Sequence, residues 1–300
     1  MKHLDLWPLM WKAWGALTAH YGPAIDHAAE ELGIPLGEWY GWLMAAYLFE
    51  PDPVSARRLH VRSAYTAPAR LEAYLAKGVH LGLLEPVGAG EYRLTEAGRT
   101  GVERLIETAY AAMASLHPLP QGDLRRLAGL LGRLVEANLA TPESPGKWCL
   151  RIARKYDPGV EAPVMELLDQ YLSDLSAYRD DAHLASWRHH GVSGQVWETL
   201  TMVWRHEVKT LDELCARLQR RGFAREDYAL ALQELVERGW LAQDGENYSV
   251  TARGDALRLE AEEATNRYFY AAWDCLTEAE IADLRDLLTR FGAALKNTNE

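Results

Sequence analysis

Tyr92-Arg93-Leu94-Thr95-Glu96-Ala97-Gly98 and Tyr248-Ser249-Val250-Thr251-Ala252-Arg253-Gly254 carry one heptad, Tyr-x-aliphatic-Thr-x-x-Gly, 156 residues apart in a chain of 300. A repeat at that distance predicts one structural unit used twice. Upstream, Gly82-Leu83-Leu84 aligns with Gly239-Trp240-Leu241, and Leu71, Leu75 and Val79 align with Tyr228, Leu232 and Val236. Each set is spaced by four residues, as the buried stripe of a helix requires. Gly33 and Trp39 pair with Gly191 and Trp197; downstream, Leu119, Leu127, Leu130, Leu131 and Leu134 pair with Leu276, Leu284, Leu287, Leu288 and Phe291. Duplication followed by divergence is expected, with lobes at 1–140 and 161–300. Pro142, Pro145, Gly146, Pro158 and Gly159 mark a junction at 141–160.

Composition fits two domains of roughly 150 residues each. Cys149, Cys215 and Cys275 are odd in number, far apart and without a C-x-x-C pair. That usage argues for a reducing compartment, here the cytoplasm, and against a thiolate zinc site. The Trp-rich N-terminus is interrupted by Asp5 and Lys12 and has no apolar run of membrane length, so no membrane partner is expected. Within each half the periodicity predicts a long first helix, to Gly33 with Pro8 and Pro23 as candidate breaks, and again over 160–190. A second helix is expected at 39–49 and 196–205, and a short one at 53–61 and 210–219. The helix of the aliphatic stripe follows, N-capped by Thr66 in the first half and running over 225–237 in the second. Hairpins at 85–94, turned by Gly88-Ala89-Gly90, and at 241–250, turned by Asp244-Gly245, precede two closing helices.

Helix, short helix, turn, helix and hairpin is the order of a winged helix-turn-helix, and each half resembles the MarR-type winged helix. The resemblance rests on the aliphatic helix ending in Gly-x-Leu, the hairpin closing in Leu94-Thr95 or Val250-Thr251, the glycine three residues later and the long terminal helices. It implies a mainly α fold with small β-hairpin wings, its two lobes interlocked by their first and last helices as an intramolecular pseudo-dimer. A monomer is then expected, acting as a transcriptional regulator whose partner is double-stranded DNA. For straight DNA the two recognition helices must present on one face about one helical turn, roughly 34 Å, apart. The DNA-binding residues of the first lobe are Arg57, Arg58 and Arg62 on phosphates, with Thr66, Arg70, Tyr74 and Lys77 toward the groove. In the second they are Arg217, Arg220, Arg221 and Arg225. The footprint is unequal: over 54–84 five cations oppose one carboxylate, whereas over 208–241 six oppose six. Wings of this family carry an Asp-x-Arg pair, yet the tips here read Val87-Gly88-Ala89-Gly90-Glu91 and Gln243-Asp244-Gly245-Glu246-Asn247, without a cation. The formal net charge of −11 also opposes non-specific attraction to a polyanion. A winged-helix scaffold or small-molecule sensor that works through protein partners is the alternative reading.

Eleven Trp and fourteen Tyr against four Phe favour aromatics with a polar handle. Trp39, Trp42 and Tyr47 in one lobe, and Trp187, Trp197 and Trp204 in the other, are candidates for a small aromatic effector, bound where the resemblance implies; the competing role is core filling. His183, His189 and His190 lie beside Asp180 and Asp181, but residue 189 turns about 100° from 190 on a helix, so no metal triad is expected. No P-loop, dinucleotide fingerprint, nucleophile elbow or H-E-x-x-H is present. Neither catalysis nor a cofactor is expected.

Overall fold

The computed structural model describes residues 3–34, 39–142 and 145–297. Helix α1 (Leu6–Glu31) leads to a π-helical turn (Trp39–Met44) continued by α2 (Ala45–Phe49). Helices α3 (Ala56–Arg62) and α4 (Pro68–His80) follow, then the hairpin β1 (Leu84–Gly88) and β2 (Glu91–Leu94), α5 (Glu96–Ala114) and α6 (Gln121–Ala140). Helix α7 (Trp148–Ala153) and a 3-10 turn (Arg154–Tyr156) bridge to the second half. There α8 (Val164–Arg188), α9 (Gly194–Trp204), α10 (Leu211–Arg217) and α11 (Arg225–Glu237) precede the hairpin β3 (Leu241–Asp244) and β4 (Asn247–Val250). Helices α12 (Ala252–Phe269) and α13 (Glu278–Asn297) close the order.

The repeated heptad does the same work twice. Thr95 Oγ1 accepts from Gly98 N at 3.0 Å and donates to Gly82 O at 2.7 Å, while Thr251 Oγ1 accepts from Gly254 N at 3.1 Å and donates to Gly239 O at 2.7 Å. Each threonine thus N-caps the helix after the hairpin and ties it to the turn before the first strand. A Cβ on Gly98 would lie 2.0 Å from Leu83 O, and one on Gly254 2.1 Å from Trp240 O. Glycine is required because a helix is pressed onto the backbone of the residue just before each first strand. The tyrosine anchors the hairpin edge: Tyr92 exchanges two backbone bonds with Val54, and Tyr248 N donates to Lys209 O at 2.7 Å.

Three apolar clusters divide the molecule. One lies beneath α2–α5 around Trp42, Leu43 and Leu75, and another beneath α9–α12 around Trp197, Leu200 and Leu235. The third joins the halves: Leu6, Met10 and Leu17 of α1 and Leu127, Leu131 and Leu134 of α6 are buried with Leu168, Leu172 and Leu175 of α8 and Leu284, Leu288 and Phe291 of α13. Helix α1 packs on α13 as well as α5, and α8 packs on α6 as well as α12. Ion pairs Arg285–Asp5, Arg290–Asp123 and Arg126–Asp283 cross between the halves at the rim of this cluster.

Several local expectations are corrected. Pro23 does not break α1, which passes through it with the proline exposed on the outer side; packing of the opposite face outweighs one missing hydrogen bond. Pro8 falls in the first turn, where its absent N–H has no intrahelical acceptor to lose. The N-cap of α4 is Ala67 rather than Thr66, and its N–H donates to Arg221 O at 2.8 Å. The expected junction contains α7, whose first amides Cys149 N and Leu150 N donate to the Asp181 carboxylate at 2.8 and 2.9 Å. Among the described residues no helix is long and apolar enough to cross a membrane.

Candidate nucleic-acid interface and ligand cavity

Helices α3 and α4, and likewise α10 and α11, each form a helix-turn-helix followed by a hairpin. Most of the cations expected on these surfaces are held by carboxylates of the same chain. Arg58 donates to Pro53 O at 2.8 Å and lies 3.7 Å from Asp52, and Arg62 donates to Asp180 Oδ2 at 2.9 and 3.0 Å. Arg217 pairs with Glu207, Arg221 with Glu198, and Arg225 with Asp212. Arg57 and Arg220 are exposed and form no ion pair among the described residues. Lys77 is half-buried on α4.

Residues expected to face a groove instead meet the other half. The Arg70 side chain packs along Gly222, and its Nε donates to Tyr74 Oη at 2.6 Å. Thr66 and Tyr65 border a cleft shared with Arg221, whose guanidinium lies 5.6 Å from the Tyr65 ring centre. Ala64 O would lie 2.0 Å from a Cβ on Gly194, and Arg188 donates to Val61 O at 2.6 Å. The α3–α4 turn is therefore seated on α8, α9 and the turn before α11. Ala67 N meets Arg221 O at 2.8 Å, and four residues of chain reach at most about 14 Å. The N-terminal ends of α4 and α11 thus lie within about 20 Å, so the expected one-turn separation of roughly 34 Å is not met in this arrangement. The outer face of α11 carries Glu226, Asp227, Leu230, Gln233 and Glu237, an acidic and apolar strip.

Trp42, Tyr47, Trp187, Trp197 and Trp204, singled out from the sequence, do not line the cavity between α1, α2, α5 and α8. Trp42 is fully buried against Gly78. Trp187 stacks on Trp197 at 5.7 Å, His190 also stacks on Trp197 at 5.7 Å, and Trp204 Nε1 donates to Asp255 at 2.8 Å. Between Trp197 and Trp204 sits Arg258, fully buried, 4.7 and 4.9 Å from their rings and paired with Glu262. These tryptophans build a packed aromatic–cation column. Tyr47 is half-buried against the first-half core, and the Trp39 side chain lies outside the described residues. Burial lowers His183 to about 4, which keeps it neutral. Among the described residues no cluster of three or more His, Cys, Asp or Glu side chains is placed to hold a metal ion.

A cavity of about 80 Å³ opens where α1, α2, α5 and α8 meet. Ile25, Met44, Leu48, Leu105, Ile106 and Ala109 form its apolar wall, and Trp14, Tyr21, Tyr110 and Tyr156 its aromatic one. Among the described lining residues the acid is Asp169, from the second half. Trp14 Nε1 and Tyr21 Oη both donate to Asp169 Oδ1 at 2.9 Å, while Oδ2 accepts no hydrogen bond among the described residues. Burial raises this carboxyl to about 6, although the two hydrogen bonds pull it the other way. Arg62, the last residue of α3, borders this cavity and the two adjoining clefts. The polar signal was legible only as an aspartate beside the Leu168, Leu172 and Leu175 stripe; its tyrosine and tryptophan partners come from distant elements.

Neither a curated protein nor a solved structure matches the chain. Residues 163–300, from the start of α8 through α13, match the model of a family described as a Helix-turn-helix family, and this half carries a helix-turn-helix domain.

Proposed function

We propose that the chain is a DNA-binding transcriptional regulator built from two fused MarR-like winged helices, its activity set by a small ligand in the cavity beside Arg62. The observation that carries this reading is the helix-turn-helix match over 163–300, in a half whose element order recurs in the other half. The helix-turn-helix works by laying its second helix in the major groove. Support for a pseudo-dimer is the crossing of α1 onto α13 and of α8 onto α6, which buries the terminal helices of each half against the other. The duplicated heptad supports descent of both lobes from one unit. The protein acts by binding rather than by catalysis.

The contact between the α3–α4 turn and the turn before α11 corresponds, in this reading, to a closed arrangement. Arg70 and Tyr74 reach DNA only when the turns separate. Ligand and DNA are coupled because Arg62 ends α3 and also borders the cavity; a ligand shifts the balance only by binding one arrangement better than the other. A second reading, a sensor acting through protein partners, is favoured by the paired arginines and the acidic face of α11.

A titration of genomic fragments by fluorescence anisotropy at two salt concentrations separates the two. The regulator reading expects affinity to fall steeply with salt. It also expects the slope to shrink by about 0.9 for each phosphate that goes unneutralised in Arg57→Ala, Arg70→Ala and Arg220→Ala. Absence of binding at low salt, or an unchanged slope in the triple variant, rules out the regulator and leaves the sensor.

A further inference from the structure

The cavity and its counterpart in the other half differ in one instructive way. Counting back twelve residues from Gly33 and from Gly191, which follow α1 and α8 and both have positive φ, reaches Tyr21 and Arg179. Tyr21 borders the open cavity and donates to Asp169. Arg179, at the matching position, fills its own site. Its guanidinium lies 4.9 Å from the Trp7 ring and 5.1 Å from the Phe269 ring, and Nη2 donates to Asn266 Oδ1 at 3.1 Å. One half therefore carries a built-in cation between aromatic faces. The other offers aromatic faces, a half-buried carboxylate and space.

An isolated ionised carboxylate is costly to bury, and the cost is offset when a cation pairs with it. Asp169 has two neutral donors on one oxygen and no cationic side chain bonded to either. Arg62, the one cation among the described wall residues, is held by Asp180. The aromatic walls add the negative ring faces that attract cations, and Tyr110 and Tyr156, with ring centres 6.3 Å apart, close one side. An anionic ligand would meet Asp169 without a free cation bonded nearby, whereas an ammonium would supply the missing charge and a donor for Oδ2.

We propose that this cavity binds a small molecule carrying a protonated nitrogen, its ammonium paired with Asp169 and its apolar body against Ile25, Met44, Leu105 and Ile106. The inference rests on the effector reading above and names the chemical class of that effector. Isothermal titration of the full chain at neutral pH with 2-phenylethylamine, 2-phenylethanol and 3-phenylpropanoate tests it, alongside Asp169→Asn. That variant keeps the acceptor for Trp14 and Tyr21 while removing the charge. The amine is expected to bind at least about tenfold more tightly than the alcohol and the carboxylate, with the preference lost in Asp169→Asn. Equal binding of the three probes, or a preference that survives Asp169→Asn, overturns the cationic class and leaves an effector cavity of another chemistry. If none of the probes binds up to its solubility limit, the cationic-ligand proposal fails, while DNA binding is judged by the separate salt titration. The comparison of probes on the unaltered chain stays decisive even if the variant folds poorly.

Discussion

At the scale of single residues, Asp169 is where stability and the proposed ligand role pull apart. Its carboxyl, raised to about 6 by burial, binds a proton in the folded state over a range in which the unfolded chain has already released it. Between about pH 4 and 6 the folded state therefore holds more protons, and stability falls as pH rises through that window. The displacement from the ordinary carboxyl value corresponds to roughly 3 kcal/mol once the charge is fully formed. Asp169→Asn removes that charge without removing volume. Urea unfolding should show the variant at least as stable as the parent at pH 7.5 and a flatter stability profile between pH 4 and 6. Asp174, raised to about 7 by burial despite its pairing with Arg154, keeps part of the slope in both proteins. A variant clearly less stable at pH 7.5 would mean that the carboxylate is compensated within the protein, contrary to its bonding pattern.

At the scale of elements, what was legible depended on whether the determinant was local. The hairpins, the helices after them and the glycine before each first strand follow from short-range chemistry: a threonine cap, a turn glycine, a four-residue stripe. Trp187, Trp197 and Trp204 have the look of pocket walls in sequence, and they are not, because Arg258 comes in from α12 and fills the space between two of them. Thr66 has the chemistry of a cap, yet the backbone of Arg221 satisfies the start of α4. Helix α7 shows the same limit, since its N-terminal amides are satisfied by Asp181 of α8 and nothing beside it in sequence announces a cap. Removing that carboxylate leaves two buried donors without partners, each costing about 1–3 kcal/mol. Asp181→Ala is expected to lower stability by roughly 2–4 kcal/mol and to speed amide exchange at Cys149 and Leu150 before the α6–α8 core. Unchanged exchange at those two amides would show that α7 is held by its packing on α8 instead.

At the scale of the whole molecule, the interlock decides which parts of the chain can fold alone. Each half owns a helix-turn-helix core, but its terminal helices complete their burial only against the other half. Leu284, Leu288 and Phe291 of α13 share their cluster with Leu6, Met10 and Leu17 of α1, and Leu168 and Leu172 of α8 with Leu127 and Leu131 of α6. Burying side chains of this size is worth about 1.5–3 kcal/mol each, so exposing such a set outweighs the roughly 5–15 kcal/mol by which a domain is ordinarily stable. A fragment of 161–300 contains the segment matched to the helix-turn-helix family, yet by this reasoning it cannot persist as a folded monomer. It is expected to self-associate through the face vacated by α1 and α6, or to remain partly unfolded. Mixed with a fragment of 1–142, it should form a 1:1 complex, because the two halves present complementary faces and the charge pairs Arg285–Asp5 and Arg290–Asp123 favour the mixed pairing. Size-exclusion chromatography with light scattering, followed by thermal melting of each fraction, reads the outcome. A stable, cooperatively melting monomer of 161–300 would show that the α12 and α13 packing within one half suffices. In that event the crossing of terminal helices fixes the orientation of the two helix-turn-helix units without holding either of them folded.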